Sequence, residues 1–233
     1  MNNIYGVYFI CCCHNYLEIV KEQLDILNKG LFNITKKLII FITLYENDNK
    51  LINIINNYNK KDNIIIITSK ENLYEKFAIN NYKNYILEEN YYMYYFHTKG
   101  LKCKNDPLFN VFSSRRKLLN YFTLEKYIIN IDLLKKYDAV GCSLNLYPKK
   151  HFSGNFWWSK SSYTKLLQNI NNKYLSPEMY ILSHNSCNYI SLANNTNDVL
   201  YENYKFPTNV EINRNITKNL IIVDEHIKLI DLC

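Results

Sequence analysis

The residue types best suited to ligand chemistry lie in the stretch His151–Tyr163, which holds both Trp residues of the chain side by side after a Gly-Asn turn signal. Aromatic faces with an N–H donor form a platform on which a sugar ring stacks, while neighbouring His, Ser and Asn side chains bond its hydroxyls. The other interpretation is a core corner, where a strand turns into a helix. The residues of this candidate platform are His151, Ser153, Asn155, Trp157 and Trp158.

The elements of the first half alternate between apolar runs and helical spacing, an order typical of an open, mostly parallel sheet. The predicted strands are Ile4–Cys13, Lys37–Tyr45, Asn63–Thr68 and Tyr91–His97. The predicted helices are His14–Gly30, Lys50–Tyr58 with Asp48 as N-cap, and Asn72–Glu88. The sequence therefore predicts an α/β fold with helices flanking the sheet.

The second half has a looser pattern, with no internal repeat and no convincing linker, so we predict one domain over residues 1–233. Helices are expected at Phe112–Phe122, Glu125–Tyr137 and Ser159–Asn169, and a helix start at Ser176-Pro177-Glu178. Strands are expected at Asp138–Leu144, Cys187–Leu192 and Leu220–Val223.

Ligands in open α/β sheets bind beyond the carboxyl ends of the strands. This rule predicts a polar rim, with the segment after the fourth strand bringing Arg116 and the Trp pair over it. The rim residues are Cys13, His14, Tyr45, Glu46, Ser69 and His97–Gly100.

Composition narrows the function classes. The net charge of +7 is compatible with a nucleic-acid binder, but the Lys residues are scattered and accompany abundant Asn, Ile and Tyr. These residues share A/T-rich codons, so base composition accounts for much of the Lys excess, and we predict no nucleic-acid partner. No Walker motif, GxGxxG or GxSxG is present, which argues against P-loop enzymes, Rossmann dehydrogenases and α/β-hydrolases.

The cysteines and the apolar runs bear on the compartment. Three of the seven Cys are consecutive, Cys11–Cys13, and their side chains alternate between the faces of a predicted strand, which does not suit a disulfide framework. No secretory signal is recognisable, and no apolar run approaches the roughly 20 residues of a membrane span. We predict a cytoplasmic protein, in the host cytoplasm if it is viral.

Five ordered segments together resemble GT-A-type glycosyltransferase-like proteins of bacteria and large DNA viruses. They are His97-Thr98-Lys99-Gly100, Arg116 with Tyr121-Phe122, Asp138-Ala139-Val140-Gly141, His151–Trp158 and Pro177-Glu178. The resemblance implies sugar transfer from a nucleotide-sugar donor to a glycan or other hydroxyl acceptor, with residues 1–100 as the donor half and 101–233 as the acceptor half. Ser114-Arg115-Arg116 lacks the Trp expected before Arg, so the assignment stays open between Arg115 and Arg116.

The resemblance also implies roles for individual residues. GT-A folds normally place Asp-x-Asp, which holds a divalent metal, where this chain has His97-Thr98-Lys99. We therefore predict no metal ligands and a non-essential Mn²⁺ or Mg²⁺, with Lys99 and Arg116 meeting the charge of the leaving diphosphate. The donor-binding set is His97, Thr98, Lys99, Gly100, Arg116 and Glu46; the platform residues bind the acceptor.

Inverting transfer needs a general base for the acceptor hydroxyl. Glu178 at a helix start is the first candidate and Asp138 the second. Two alternatives to an enzyme remain: a catalytically silent relative that binds a nucleotide or glycan, and a basic nucleic-acid-binding protein. Donor, acceptor, linkage and oligomeric state are outside what the sequence predicts.

Overall fold

The structure of the protein is a computed structural model. It describes residues 3–59, 62–102, 105–171, 173 and 175–193, and the backbone of two short strands at 220–223 and 226–229. Cys103 and Cys233 lie outside the described residues.

The central element is a seven-stranded sheet with strands from both halves of the chain. Its strands are β1 (Asn3–Cys11), β2 (Thr35–Thr43), β3 (Ile64–Thr68), β4 (Tyr91–His97), β5 (Ala139–Gly141), β8 (Trp157–Lys160) and β9 (Tyr189–Ser191). They lie in the order β3-β2-β1-β4-β8-β5-β9. Six run parallel and only β8 is antiparallel to its neighbours. The predicted α/β fold with a mostly parallel sheet is confirmed.

Two smaller pairings complete the strands that the structure describes. They are β6 (Leu144–Asn145) with β7 (His151–Phe152), and β10 (Leu220–Val223) with β11 (His226–Leu229). The strand predicted at Leu220–Val223 is thus present, outside the main sheet.

Helices cover both faces of the sheet. They are α1 (Tyr16–Asn28), α2 (Leu31–Ile34), α3 (Asn49–Tyr58), α4 (Lys76–Asn81), α5 (Phe109–Asn120), α6 (Tyr127–Leu133), α7 (Ser161–Thr164) and α8 (Ser176–Met179). A 3₁₀ turn (Tyr82–Tyr85) continues α4, and a π-helical turn (Tyr121–Glu125) joins α5 to α6. One core layer holds apolar residues of α1, α3, α5 and α6, and the other holds those of α4 and α7 together with Tyr180, Ile181 and Leu182, which follow α8. None of the helices over the described residues has the length and apolar character needed to cross a membrane.

The aromatic stretch forms the central strand β8, which explains why two Trp residues stand side by side. Successive side chains of a strand point to opposite faces, so Trp158 enters the core layer of α1 and α5 while Trp157 enters the other layer. Both indoles are 0% exposed. The prediction that one of them lines the ligand cleft is wrong. The helix predicted over Ser159–Asn169 is shorter than expected and is α7, which starts at Ser161 because β8 continues to Lys160.

Candidate functional site

A cleft of about 870 Å³ opens beyond the carboxyl ends of β1 and β4. It lies where the strand-end rule predicts a ligand. Its lining comes from the ends of both strands, the segment before α4, the loop after β4 and the start of α8. The lining residues include Cys11, Cys13, Tyr74, Glu75, His97, Thr98, Lys99 and Glu178.

The loop His97–Gly100 is fixed to β1 by backbone contacts. Thr98 N donates to Phe9 O at 3.0 Å, and the Thr98 hydroxyl accepts from Cys11 N at 3.1 Å. Gly100 has φ +78°, and a Cβ there would lie 3.1 Å from the Phe112 carbonyl, so only glycine fits without strain. The loop therefore holds Lys99 at the cleft.

Arg116 supports this loop instead of lining the cleft. Its guanidinium binds the Glu22 carboxylate through two nitrogens, at 3.1 and 2.9 Å, and donates to Lys99 O at 3.2 Å. Since Arg116 is buried and forms these bonds, the prediction that it contacts a donor phosphate is not supported by its position. The neighbouring Arg115 donates to the Ser153 hydroxyl.

His97 is buried at the end of β4 and is neutral. Burial lowers the pKa of its imidazole below the usual range, and the Lys99 charge lowers it too, although Glu75 opposes both effects. Because Nε2 lies 2.9 Å from the Gly154 carbonyl, which only accepts, this nitrogen carries the proton and donates. Nε2 therefore has no lone pair for a metal ion.

Glu178 faces Lys99 across the cleft. Its Oε1 accepts from Gly154 N at 3.2 Å and lies 3.8 Å from Lys99 Nζ, while its Oε2 lies 3.8 Å from His151 Nε2. Each side chain of the Lys99–Glu178 pair is about one-fifth exposed. Two opposite charges thus face each other at a distance longer than a hydrogen bond, in contact with solvent of the cleft.

Glu75 is a second carboxylate in the cleft. Its Oε2 accepts from the Tyr95 hydroxyl at 3.0 Å and from Asn155 Nδ2 at 2.6 Å. Its Oε1 lies 3.7 Å from His97 Nε2. Glu75 and Glu178 therefore approach the His97–Gly154 contact from two sides.

Two thiols at the end of β1, those of Cys11 and Cys13, line the cleft. Cys11 Sγ and Cys13 Sγ are 3.5 Å apart. Burial raises the pKa of Cys13, and that of Cys12, to about 12, so both thiols are protonated at neutral pH.

Several predicted site residues lie away from the cleft. Asp138 precedes β5 and lies at the level of Tyr92 on β4. Tyr92 is five residues before His97, so Asp138 is about 16 Å from the cleft along the strand direction. The prediction that it is a catalytic base in this site is therefore wrong. Glu46 is exposed and does not line the cleft.

Of the predicted acceptor-binding residues, His151 and Asn155 are buried behind the cleft. His151 lies beside Glu178, and Asn155 bonds Glu75. Ser153 accepts a hydrogen bond from Arg115. Two of the five predicted acceptor-binding residues, His151 and Asn155, thus contact the cleft carboxylates from behind.

A family model described as "Domain of unknown function (DUF8361)" matches residues 12–202. The chain belongs to this family. Among curated proteins, none matches the sequence.

The chain is similar to solved structures at low sequence identity. The mannosyltransferase PcManGT from Pyrobaculum calidifontis, solved in complex with GDP-Man and Mn²⁺, has a TM-score of 0.50 and 12% identity over 82% of this chain and 54% of that chain. HddC from Yersinia pseudotuberculosis has a TM-score of 0.48 and 13% identity over 82% of this chain and 89% of its own. The chain thus spans about half the length of the mannosyltransferase.

Glu75 and Tyr74 are among the cleft residues that the sequence did not predict. Both fall inside the helix predicted from Asn72, whereas the helix starts only at Lys76. Two turn-forming residues, Ser69 and Asn72, precede this point and bond the backbone two residues on. They were the available signal that the helix begins later.

Proposed function

We propose that this protein is an inverting sugar transferase that takes a nucleotide-sugar donor in the cleft at the carboxyl ends of β1 and β4. The observation that carries the proposal is the Lys99–Glu178 pair, a cation and a carboxylate 3.8 Å apart on opposite sides of one cleft. Transfer to a hydroxyl requires both: a base for the proton that leaves the acceptor and a positive charge for the diphosphate that leaves the sugar.

Lys99 binds the donor diphosphate in this proposal. The loop that carries Lys99 is held by hydrogen bonds to β1 and by Arg116. The backbone from which the lysine side chain extends is therefore fixed. When the donor enters, the diphosphate replaces Glu178 as the partner of Lys99, which frees the carboxylate. The same ammonium then stabilises the nucleoside diphosphate as it departs.

Glu178 is the general base. Gly154 N orients the carboxylate, and the carboxylate removes the proton of the acceptor hydroxyl. The acceptor oxygen forms its bond to the anomeric carbon as the bond from that carbon to the diphosphate oxygen breaks, and the configuration inverts.

The residues of this cleft do not fit the divalent metal that GT-A folds commonly hold. His97 stands where a carboxylate would be, and its Nε2 donates to a carbonyl. In the part of the chain that the structure describes, no three His, Cys, Asp or Glu side chains lie close enough together to hold a metal ion. We therefore assign the diphosphate charge to Lys99 and derive no step through a metal.

The comparison supports the proposal only through the fold. A mannosyltransferase with this fold binds GDP-Man and Mn²⁺. At 12% identity this says that such a sheet can hold a nucleotide sugar, and the choice of donor remains open.

A thermal-shift screen over UDP-, GDP-, CMP- and dTDP-sugars, each with and without Mn²⁺, tests the proposal. A ligand that binds only the folded state raises the melting temperature, so at least one donor class is expected to do so. Lys99→Ala should abolish the increase. Lys135→Ala, which removes an exposed lysine paired with Asp132, is the matched control and should retain it.

A donor that binds is then incubated with a glycan mixture to measure transfer. Binding without transfer or donor hydrolysis would indicate a silent nucleotide-binding relative. If no donor binds while random oligonucleotides bind with steep salt dependence, the protein is a nucleic-acid binder and the proposal is wrong.

A further inference from the structure

Glu75 is held in place by a buried hydrogen-bond network that reaches the aromatic strand. Trp157 Nε1 donates to Asn155 Oδ1 at 2.9 Å, and Asn155 Nδ2 donates to Glu75 Oε2 at 2.6 Å. Tyr95 donates to the same oxygen and stacks on Trp157, with ring centroids 5.2 Å apart. Burial raises the pKa of the Tyr95 phenol well above its usual value, which keeps the donor protonated.

This network fixes one carboxylate oxygen and leaves the other facing the cleft. Oε2 accepts hydrogen bonds from two donors. Oε1 lies 3.7 Å from His97 Nε2, which is longer than a hydrogen bond. A carboxylate oxygen accepts only, so its natural partners are hydroxyl groups of a ligand. The network therefore holds Glu75 in an orientation in which its Oε1 can accept a hydrogen bond from a ligand hydroxyl.

Tyr74, the preceding residue, is an exposed aromatic residue among the described residues that line the cleft. It is 63% exposed and has φ +52°. A bulky residue in this left-handed region is strained, and such strain persists where the surrounding structure imposes it, often at ligand sites. The exposed ring of Tyr74 and the oriented carboxylate of Glu75 thus belong to adjacent residues and line the same cleft.

We propose that Tyr74 and Glu75 form a subsite for a pyranose ring. The apolar C–H face of the sugar stacks on Tyr74 and its hydroxyls donate to Glu75 Oε1. The inference rests on the proposed function, because it places this ring in the same cleft. Glu75 lies on the Glu178 side, beside the His97–Gly154 contact, so the ring it binds is a sugar at the reacting end of the cleft and not the nucleobase.

Saturation-transfer difference NMR with nucleotide-free probes tests the subsite. The probes are methyl α- and β-pyranosides of glucose, galactose, mannose and N-acetylglucosamine, titrated into the full chain. At least one is expected to bind. Tyr74→Ala should weaken that binding about fivefold, and Tyr74→Phe, which keeps the ring, should stay within about twofold of the wild type.

Glu75→Gln should weaken binding about 10- to 100-fold, because a hydrogen bond to a charged acceptor is lost. Two exposed residues outside the cleft lining provide matched controls: Tyr147→Ala and Glu71→Gln should both bind as the wild type does. Tyr74 is largely exposed, so Tyr74→Ala is expected to fold even if Glu75→Gln disturbs the network.

Three results would overturn the subsite: no pyranoside binds, binding is unchanged in both Tyr74→Ala and Glu75→Gln, or these variants weaken free UDP or GDP as much as the corresponding nucleotide sugar. The last result would assign the pair to the nucleotide. Failure of the proposed function gives a different result, in which pyranosides bind through Tyr74 and Glu75 but no nucleotide sugar raises the melting temperature.

Discussion

Lysine–carboxylate pairs occupy both ends of the central sheet, and they differ in how fully they are hydrogen-bonded. At the amino end of β5, Lys160 Nζ lies 2.9 Å from Asp138 Oδ1, and Asn188 N donates to Oδ2 at 2.9 Å. At the carboxyl ends of β1 and β4, Lys99 Nζ stays 3.8 Å from Glu178 and both side chains face the cleft. The same residue types therefore anchor a strand at one end and remain available to a ligand at the other.

The largest effect that this comparison predicts is on catalysis. Glu178→Gln keeps the size of the side chain but removes the base, so the transfer rate should fall by about 10²- to 10⁴-fold while donor binding holds. Asp138→Asn, at the opposite end of the sheet, should leave the rate within about twofold. Both rates are measured with the donor identified by thermal shift.

Near-normal turnover of Glu178→Gln would transfer the role of base to Glu75, the other carboxylate among the described residues that line the cleft. A large loss in Asp138→Asn without loss of folded protein would break the comparison, because it would place catalysis at the wrong end of the sheet.

The next prediction tests whether Lys99 or a metal ion supplies the positive charge that faces the leaving diphosphate. Lys99→Ala should lower transfer about 100-fold, since it removes the charge that faces the leaving diphosphate. Exhaustive EDTA treatment of the wild type should leave most of its activity. Lys160→Ala is the counterpart at the other end and should transfer normally. If EDTA abolishes turnover and Mn²⁺ restores it, our interpretation of the His97–Gly100 loop is wrong.

The sequence predicts the sheet well because its strands carry their own signal. β1, β2 and β4 are continuous apolar runs, as expected of strands covered by helices on both faces. The sequence misplaces Trp157 and Trp158, because two adjacent aromatic residues fit an exposed platform as well as a strand that is buried on both faces. Only the pairing of β8 between β4 and β5 decides between them.

The candidate site was predictable only where its residues follow a strand end. Lys99 comes two residues after the end of β4, and Glu178 stands at a recognisable helix start. Glu75 has no comparable signal, because its environment is formed by Tyr95 and Asn155, which are distant in the chain. The sequence likewise gives no indication that Arg116 pairs with Glu22, 94 positions earlier.

A moderate effect on stability is expected at the amino end of the sheet. Asp138→Asn removes the charge that binds Lys160 and weakens the bond from Asn188 N, so the free energy of unfolding should fall by about 1–2 kcal/mol. Chemical denaturation measures this difference. Glu178→Gln should change stability less, because its pair with Lys99 is longer and faces solvent. The reverse order would mean that the cleft pair also holds the fold together.

The smallest expected effect is the pH dependence contributed by His97 at the cleft end. Its pKa in the folded protein is lowered from 6.5 by burial, so the unfolded chain binds a proton at a higher pH than the folded chain does. Stability from this group is present above pH 6.5 and is lost as the pH falls from there toward the lowered pKa of the folded state, by at most about 1 kcal/mol between pH 7 and 5.5. His97→Asn keeps a donor for Gly154 O without a titrating ring, so its unfolding free energy should decline less over this interval. Parallel urea titrations at both pH values measure the two declines. Equal declines would show that the fold does not lower the pKa of His97, and a smaller decline in the wild type would show that the pKa is raised, with Glu75 as the ion-pair partner of His97.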